Sequence, residues 1–195
     1  FYNENFNKNF LNGEKTPSYS YQENCAERIY KYNKNLKLIW ILRNPINRAI
    51  SNYYHAFNKN KESLSMLNAY LKQNERMKEN IFKGYFYRSL YSIQIDRFLK
   101  FFPENQFFFC LFEEFKENQN LIANKLCNFL GVGSYEFKKI HSNKTNILTN
   151  LKIKNYFLNN YFLKKKLKKQ LNEYYKNEIY KLSKLLKKDL YKLWH

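Results

Sequence analysis

Glycine, proline and cysteine are scarce in this chain of 195 residues, which has 4 glycines, 3 prolines and 3 cysteines. No G-x-x-x-x-G-K-[ST] string occurs, so the sequence contains no glycine-rich phosphate-binding loop of that type. The cysteines are far apart, without the spacing of a metal site or a redox motif: Cys25, Cys110 and Cys127. We therefore expect free thiols in a reducing compartment.

Long apolar runs are also missing. No run approaches the ~20 residues that a membrane-spanning helix needs, and there is no signal-peptide pattern. These two absences favour a cytoplasmic protein. Because the chain begins at Phe1 rather than Met, we also expect that a segment precedes it. A location in the Golgi lumen is the alternative if that segment carries a membrane anchor.

Acidic residues are few, with 16 Asp and Glu against 35 Lys and Arg, which gives a formal net charge of +19. A basic surface favours anionic partners such as nucleotides, acidic glycans, nucleic acid or membranes. An AT-rich genome, which enriches Lys, Asn, Tyr, Phe and Ile, explains much of the excess equally well. No nucleic-acid-binding motif is present, so we do not expect nucleic acid as the partner.

The length suits a single domain over residues 1–195 with a sizeable core. Its most informative stretch is 37–57, KLIWILRNPINRAISNYYHAF. The short apolar run 38–42 predicts a buried strand. Asn44 can cap a helix and Pro45 suits the first helical position, so a helix follows to about residue 57. Such a strand–turn–helix unit places ligands at the carboxyl edge of an α/β sheet.

Three polar side chains in this unit favour an anion site. Arg43 follows the strand and carries a planar, permanently charged group that suits phosphate. Ser51 is eight residues further on, about two helical turns away, and faces roughly the same way. His55 lies one more turn along that face.

This stretch resembles the sulfotransferases, in particular the heparan-sulfate and related carbohydrate group. In that family an Arg and a Ser at this spacing bind the 3′-phosphate of the sulfuryl donor 3′-phosphoadenosine 5′-phosphosulfate (PAPS). The resemblance implies that Arg43 and Ser51 bind this phosphate. It also implies an α/β fold, a P-loop-NTPase-like three-layer sandwich with a central parallel sheet. The family's N-terminal strand–loop–helix, which binds the 5′-phosphosulfate, and its acceptor-activating Glu are not found in the chain.

Three further residues take candidate roles from the resemblance. Lys15, in the string GEKTPSY, resembles a family Lys that reaches the acceptor and the transferring group; the alternative is a solvated surface lysine. His55, four residues after the Ser, resembles a His of amine-sulfating members and would take an acceptor proton; the alternative is a helix-surface His. Lys144, in the loop 137–150, would correspond to a basic loop over the 3′-phosphate, although the family's glycine-containing signature is not present there.

The sequence therefore predicts an enzyme that transfers a sulfuryl group from PAPS to a hydroxyl or amine of a glycan or small-molecule acceptor. Adenosine 3′,5′-bisphosphate is the expected product, and no metal is required because cations and N–H dipoles carry the developing charge. The alternative is a catalytically inactive relative that binds an anionic glycan or a nucleotide.

The rest of the chain predicts supporting structure. Glu113 and Glu114 favour a structural turn over a general-base pair. Between Lys164 and Lys192, 11 lysines accompany three acidic residues on an amphipathic C-terminal helix. We expect this helix to dock on the core, with weak contact between its lysines and anionic surfaces as the alternative. The other predicted elements are helices at 23–32, 63–73, 84–102 and 117–130, the last ended by Gly131, and a strand at 106–111.

Overall fold

The computed structural model describes residues 11–137 and 161–194, with side chains of the last segment described from Lys166 onward. Two strands in these ranges pair in parallel, β1 (Leu38–Leu42) and β2 (Phe107–Leu111). Leu38 lies opposite Phe107 and Leu42 opposite Leu111. Both predicted strands are confirmed, and β2 begins one residue late because Gln106 ends a 3-10 turn. The expected burial of β1 is only partly correct, because Trp40 and Leu42 are buried whereas Ile39 and Ile41 are 46% and 57% exposed.

Helices make up most of the remaining described structure, so the fold is α/β. In chain order they are α1 (Cys25–Tyr32), α2 (Pro45–Asn58), α3 (Met66–Leu71), α4 (Gln73–Glu79), α5 (Tyr91–Leu99), α6 (Phe112–Glu117), α7 (Gln119–Leu130), α8 (Tyr161–Leu186) and α9 (Leu190–Trp194). Gly131 ends α7 with a φ of 80°, the left-handed conformation that glycine adopts without strain. None of the described helices is long and apolar enough to cross a bilayer.

The turn between β1 and α2 follows the local sequence closely. The side-chain oxygen of Asn44 accepts hydrogen bonds from the backbone N–H groups of Ile46 and Asn47, at 3.0 and 3.1 Å. Pro45 is the first helical residue, where its missing N–H costs nothing. Ala49, like Ile46, is buried on the core face. The predicted helix start is confirmed.

Asn44 also ties this turn to distant parts of the chain. Its backbone N–H donates to the Glu113 carboxylate at 3.2 Å, and its side-chain amide donates to the Trp194 carbonyl at 3.1 Å. Glu114 forms an ion pair with Lys188. Both acidic residues therefore have structural partners, as predicted, but they lie in the first turn of α6 and not in a non-helical turn before the next helix.

The predicted helix over 84–102 is wrong in its first part, because α5 begins only at Tyr91. The carboxylate of Glu178, from α8, accepts the Ser92 backbone N–H at 2.8 Å and the Ser92 hydroxyl at 2.6 Å. This contact caps α5 at that point. Upstream, the Met77 side chain packs so close to Gly84 that a Cβ atom there would collide with it.

Two other helix predictions are corrected in detail. The predicted helix at 63–73 is shorter than expected and corresponds to α3, and a second helix, α4, follows from Gln73 to Glu79. The amide oxygen of Gln73, at their junction, accepts the Tyr87 backbone N–H at 3.0 Å. The C-terminal helix is broken into α8 and α9 at Lys187, which has a φ of 52°. Side chains on one face of α8 enter the core, including Leu171, Tyr175, Ile179 and Leu182, all of them 0% exposed.

Candidate functional site

A polar stripe runs along the face of α2 that does not enter the core. Arg48, Ser51, Asn52 and His55 have the i, i+3, i+4, i+7 spacing that puts side chains on one helix face. Together with Arg43, from the end of β1, they line a surface cavity of about 270 Å³. We call it the cationic cavity. It brings together three of the predicted site residues, Arg43, Ser51 and His55.

Arg43 lies at the carboxyl end of β1 and forms no ion pair among the described residues. The carbon of its guanidinium lies 5.2 Å from the centre of the Phe112 ring, a cation–π contact. Its backbone N–H donates to the Tyr91 hydroxyl at 3.4 Å. Burial raises the pKa of Tyr91 to about 12, so this hydroxyl stays neutral at physiological pH. No carboxylate within residues 11–137 and 161–194 forms an ion pair with Arg43.

Arg48 was missed by the sequence reasoning, although its position three residues before Ser51 places it on the same helix face. Its guanidinium donates to the Ser89 hydroxyl at 3.1 Å and lies 5.6 Å from the centre of the Tyr91 ring. It too has no acidic partner in the described part of the chain. The cationic cavity therefore contains two guanidinium groups and no carboxylate.

Asn52 was also missed, and it supplies the clearest sign of a ligand. Its side-chain nitrogen is buried and has no hydrogen-bond partner among the described residues. Leaving such a donor unsatisfied costs about 1–3 kcal/mol. An anionic oxygen in the cationic cavity would accept this hydrogen bond. The residues present thus fit a phosphate group, which needs cations and N–H donors.

The other predicted residues lie differently. Lys15 is exposed and does not line the cationic cavity. In its loop, the neighbouring Glu14 accepts hydrogen bonds from Thr16 and Tyr19 at 2.6 and 2.7 Å, and these bonds lower the pKa of Glu14. His55 is exposed at the outer end of the stripe. Lys144 lies outside the described residues. Across the described ranges, no group of three or more His, Cys, Asp or Glu side chains is arranged to hold a metal ion.

The chain is similar to several known proteins. Two curated relatives, heparan sulfate glucosamine 3-O-sulfotransferase 5 of Mus musculus and of Homo sapiens, are each 36% identical over 98 residues, which is 48% of this chain and 28% of theirs. Heparan sulfate glucosamine 3-O-sulfotransferase 6 of Mus musculus is 29% identical over 119 residues, 61% of this chain and 34% of that protein. The chain thus matches about a third of the length of these relatives.

A solved structure shows the same fold. The crystal structure of a sulfotransferase from Alicyclobacillus acidocaldarius superposes with a TM-score of 0.69 at 24% identity, over 88% of this chain and 63% of that one. The expected sulfotransferase-type α/β fold is therefore confirmed, with two strands of its parallel sheet in the described residues.

The family model of the sulfotransferase domain matches residues 24–190. This range contains every residue that lines the cationic cavity, whereas Lys15 lies before it. Because the match covers well over half of the chain, the chain belongs to the sulfotransferase family.

Proposed function

We propose that this protein transfers a sulfuryl group from PAPS to a hydroxyl or amine of a glycan or related acceptor, and that the cationic cavity binds the donor's 3′-phosphate. One observation carries the proposal. Arg43 and Ser51 line the same cavity, beside the buried side-chain nitrogen of Asn52, which has no hydrogen-bond partner in the described structure. Both residues are inside the segment that matches the family. The names of the relatives, which are heparan sulfate sulfotransferases, support a glycan as the acceptor.

Arg43 and Ser51 would bind the phosphate in complementary ways. The guanidinium offers several N–H donors in a fixed plane and stays protonated at all relevant pH values. The Ser51 hydroxyl adds one donor from the helix face. Because β1 fixes Arg43 and α2 fixes Ser51, both donors are positioned before the ligand arrives, which lowers the entropic cost of binding.

His55 is proposed as the residue nearest the acceptor. It lies one helical turn beyond Ser51, about 6 Å along the helix axis. A neutral imidazole there would accept the proton of the acceptor oxygen or nitrogen as that atom bonds to sulfur. The bond between sulfur and the bridging phosphate oxygen breaks, and the bisphosphate nucleotide leaves with the electron pair. Lys15 near the transferring group and Lys144 over the 3′-phosphate are proposals that rest on the family resemblance.

A second contact with the acceptor would involve α8. Its exposed face carries a row of lysines, namely Lys166, Lys168, Lys169, Lys176, Lys181 and Lys184. A polyanionic glycan would gain from such a surface through long-range attraction that salt screens. We propose this contact as a weak one that adds to acceptor binding.

The test is transfer of labelled sulfate from PAPS to a panel of glycans by the complete protein. We expect transfer to at least one acceptor and its loss in Arg43→Ala. Arg28→Ala, which removes an exposed arginine that does not line the cationic cavity, is the matched control. Binding of adenosine 3′,5′-bisphosphate without any transfer would support the inactive alternative, and absence of both would overturn the proposal.

A further inference from the structure

Arg48 is the charged residue of the cationic cavity that the donor contacts proposed above do not use. It is half-buried, and in the described structure its partners are a hydroxyl and an aromatic ring rather than a carboxylate. A cation that is partly removed from water without an anion loses solvation free energy that these neutral partners restore only in part. The arrangement is therefore more favourable when an anion occupies the cavity.

The partner of Arg48 is itself rigidly held. Ser89 is 0% exposed and lies against Tyr175 of α8, which is also 0% exposed. Burial raises the pKa of Tyr175 well above its usual value, and hydrogen bonding with Ser89 offsets part of that rise. The Tyr175 hydroxyl donates to the Phe86 carbonyl at 2.7 Å. A chain of buried hydroxyls thus connects the guanidinium of Arg48 to the core helix.

The guanidinium of Arg88, which does not line the cationic cavity, also lies near Arg48. The guanidinium carbon of Arg88 is 4.2 Å from the centre of the Tyr21 ring. Burial lowers the pKa of Arg88, and the positive charge of Arg48 lowers it further. Arg88 forms no ion pair with a carboxylate of the described residues. Two like charges that are close together and partly buried repel each other, so a bound anion would relieve this repulsion.

We propose that Arg48 is a second guanidinium ligand of the donor's 3′-phosphate, shared with Arg43, and that Ser89 and Tyr175 are positioning residues that hold Arg48 for this contact. The inference rests on the proposed function, because it assigns Arg48 to the same nucleotide. Two guanidinium groups match the charge of a phosphate monoester, which is close to −2 at pH 7. The position of α8 would then influence donor affinity through Tyr175.

Calorimetry on the complete protein with two nucleotides tests this assignment. Adenosine 3′,5′-bisphosphate carries the 3′-phosphate, and adenosine 5′-monophosphate lacks it. For Arg48→Ala we expect bisphosphate binding that is about 10-fold weaker or more, and monophosphate binding that is unchanged within about 2-fold. Arg48→Lys, which keeps the charge but loses the planar donor pair, should be intermediate. The exposed Arg28→Ala should change neither affinity.

Two further variants test whether Ser89 and Tyr175 position Arg48. Ser89→Ala and Tyr175→Phe should each weaken bisphosphate binding about 3-fold and leave monophosphate binding unchanged. In a protein that already carries Arg48→Ala, neither substitution should weaken bisphosphate binding further. Thermal unfolding of each variant reports its stability separately. Equal weakening for both nucleotides, in proportion to lost stability, would show that these hydroxyls only support the fold and would overturn the positioning role.

The failure of this inference differs from that of the proposed function. If the unmodified protein binds both nucleotides equally, the cationic cavity is not a 3′-phosphate site and both proposals fall. If it prefers the bisphosphate, and Arg43→Ala removes that preference while Arg48→Lys and Arg48→Ala keep it, only the role of Arg48 is overturned. If Arg48→Ala does not fold, Arg48→Lys provides the test. If Arg48→Lys prefers the bisphosphate over the monophosphate as strongly as the unmodified protein does, the assignment of Arg48 is contradicted.

Discussion

Two surface cavities of similar size differ in whether their polar side chains have hydrogen-bond or ion-pair partners. The cationic cavity on α2 measures about 270 Å³. The second measures about 310 Å³ and lies on α7; we call it the amide cavity, and its lining residues are Asn120, Asn124, Ser134, Tyr135 and Glu136. In the amide cavity, Asn124 accepts the Tyr135 backbone N–H and Asn120 accepts that of Phe137, each at 2.9 Å.

The difference shows what separates a binding site from a depression in the surface. The side-chain oxygens of the two asparagines in the amide cavity are bound by the chain's own backbone, and Asn124 also donates to the Asn120 carbonyl at 3.0 Å. In the cationic cavity, Asn52 has a buried donor without a partner in the described ranges, and the two arginines have no acid. Volume does not distinguish the two cavities, whereas the unsatisfied donor of Asn52 and the two arginines without an ion-pair partner in the described residues do.

The largest expected effect is the loss of nucleotide binding in Arg43→Ala. A charge-assisted hydrogen-bonded pair contributes about 1.5–3 kcal/mol, so two such bonds to phosphate predict affinity for adenosine 3′,5′-bisphosphate that is about 100-fold weaker. Calorimetry measures this change, with Arg28→Ala as the control. If the affinity of Arg43→Ala for the bisphosphate stays within about 2-fold of the original, the cationic cavity, like the amide cavity, is not a nucleotide-binding site.

The next effect separates binding from stability at one residue. Asn52→Leu replaces an amide by an apolar group of similar size, so the unsatisfied buried donor disappears. We expect stability to urea that is equal to or greater than that of the unmodified protein, and bisphosphate affinity that is about 10-fold weaker. A less stable protein with unchanged affinity would mean that Asn52 supports the fold rather than a ligand.

The amide cavity should give the reverse result. Asn124→Ala removes two hydrogen bonds, one to the segment that follows α7 and one to Asn120 within α7. We expect a loss of about 1 kcal/mol in the free energy of unfolding, since exposed hydrogen bonds contribute little each, and no change in bisphosphate affinity. Urea unfolding and calorimetry on the same preparation check both parts. Weakened nucleotide binding would show that the two cavities are coupled.

Local signals explain which parts of this structure the sequence predicted. The end of β1, the Asn44 cap and Pro45 depend on neighbours within a few residues, so they were predicted with their bounds. The start of α5 was not, because it depends on Glu178, which is 86 residues away from Ser92 in the chain. A helix-period pattern cannot reveal a cap that comes from another helix.

The candidate site shows the same division. Arg43, Ser51 and His55 were found because the strand–turn–helix unit fixes their direction. Arg48 and Asn52 lie on the same helix face, so the i, i+3, i+4 spacing in the sequence is enough to indicate them as well. The packing of β1, α5 and α8 determines that the Asn52 nitrogen has no hydrogen-bond partner and that Arg48 has no carboxylate partner in the described residues. Those facts are visible only in the folded chain.

The smallest expected effect concerns the origin of the charge in the cationic cavity. If arginines provide it, bisphosphate affinity should change less than about 2-fold between pH 7 and pH 9, because guanidinium groups stay protonated across that range. The phosphate itself, whose second pKa is about 6, is fully charged over the same range. Binding should then weaken below about pH 6, as the phosphate gains a proton. A steep loss of affinity between pH 7 and pH 9 would indicate that a group with a lower pKa, rather than Arg43 and Arg48, carries the charge, and the cavity would then require a different assignment of its ligands.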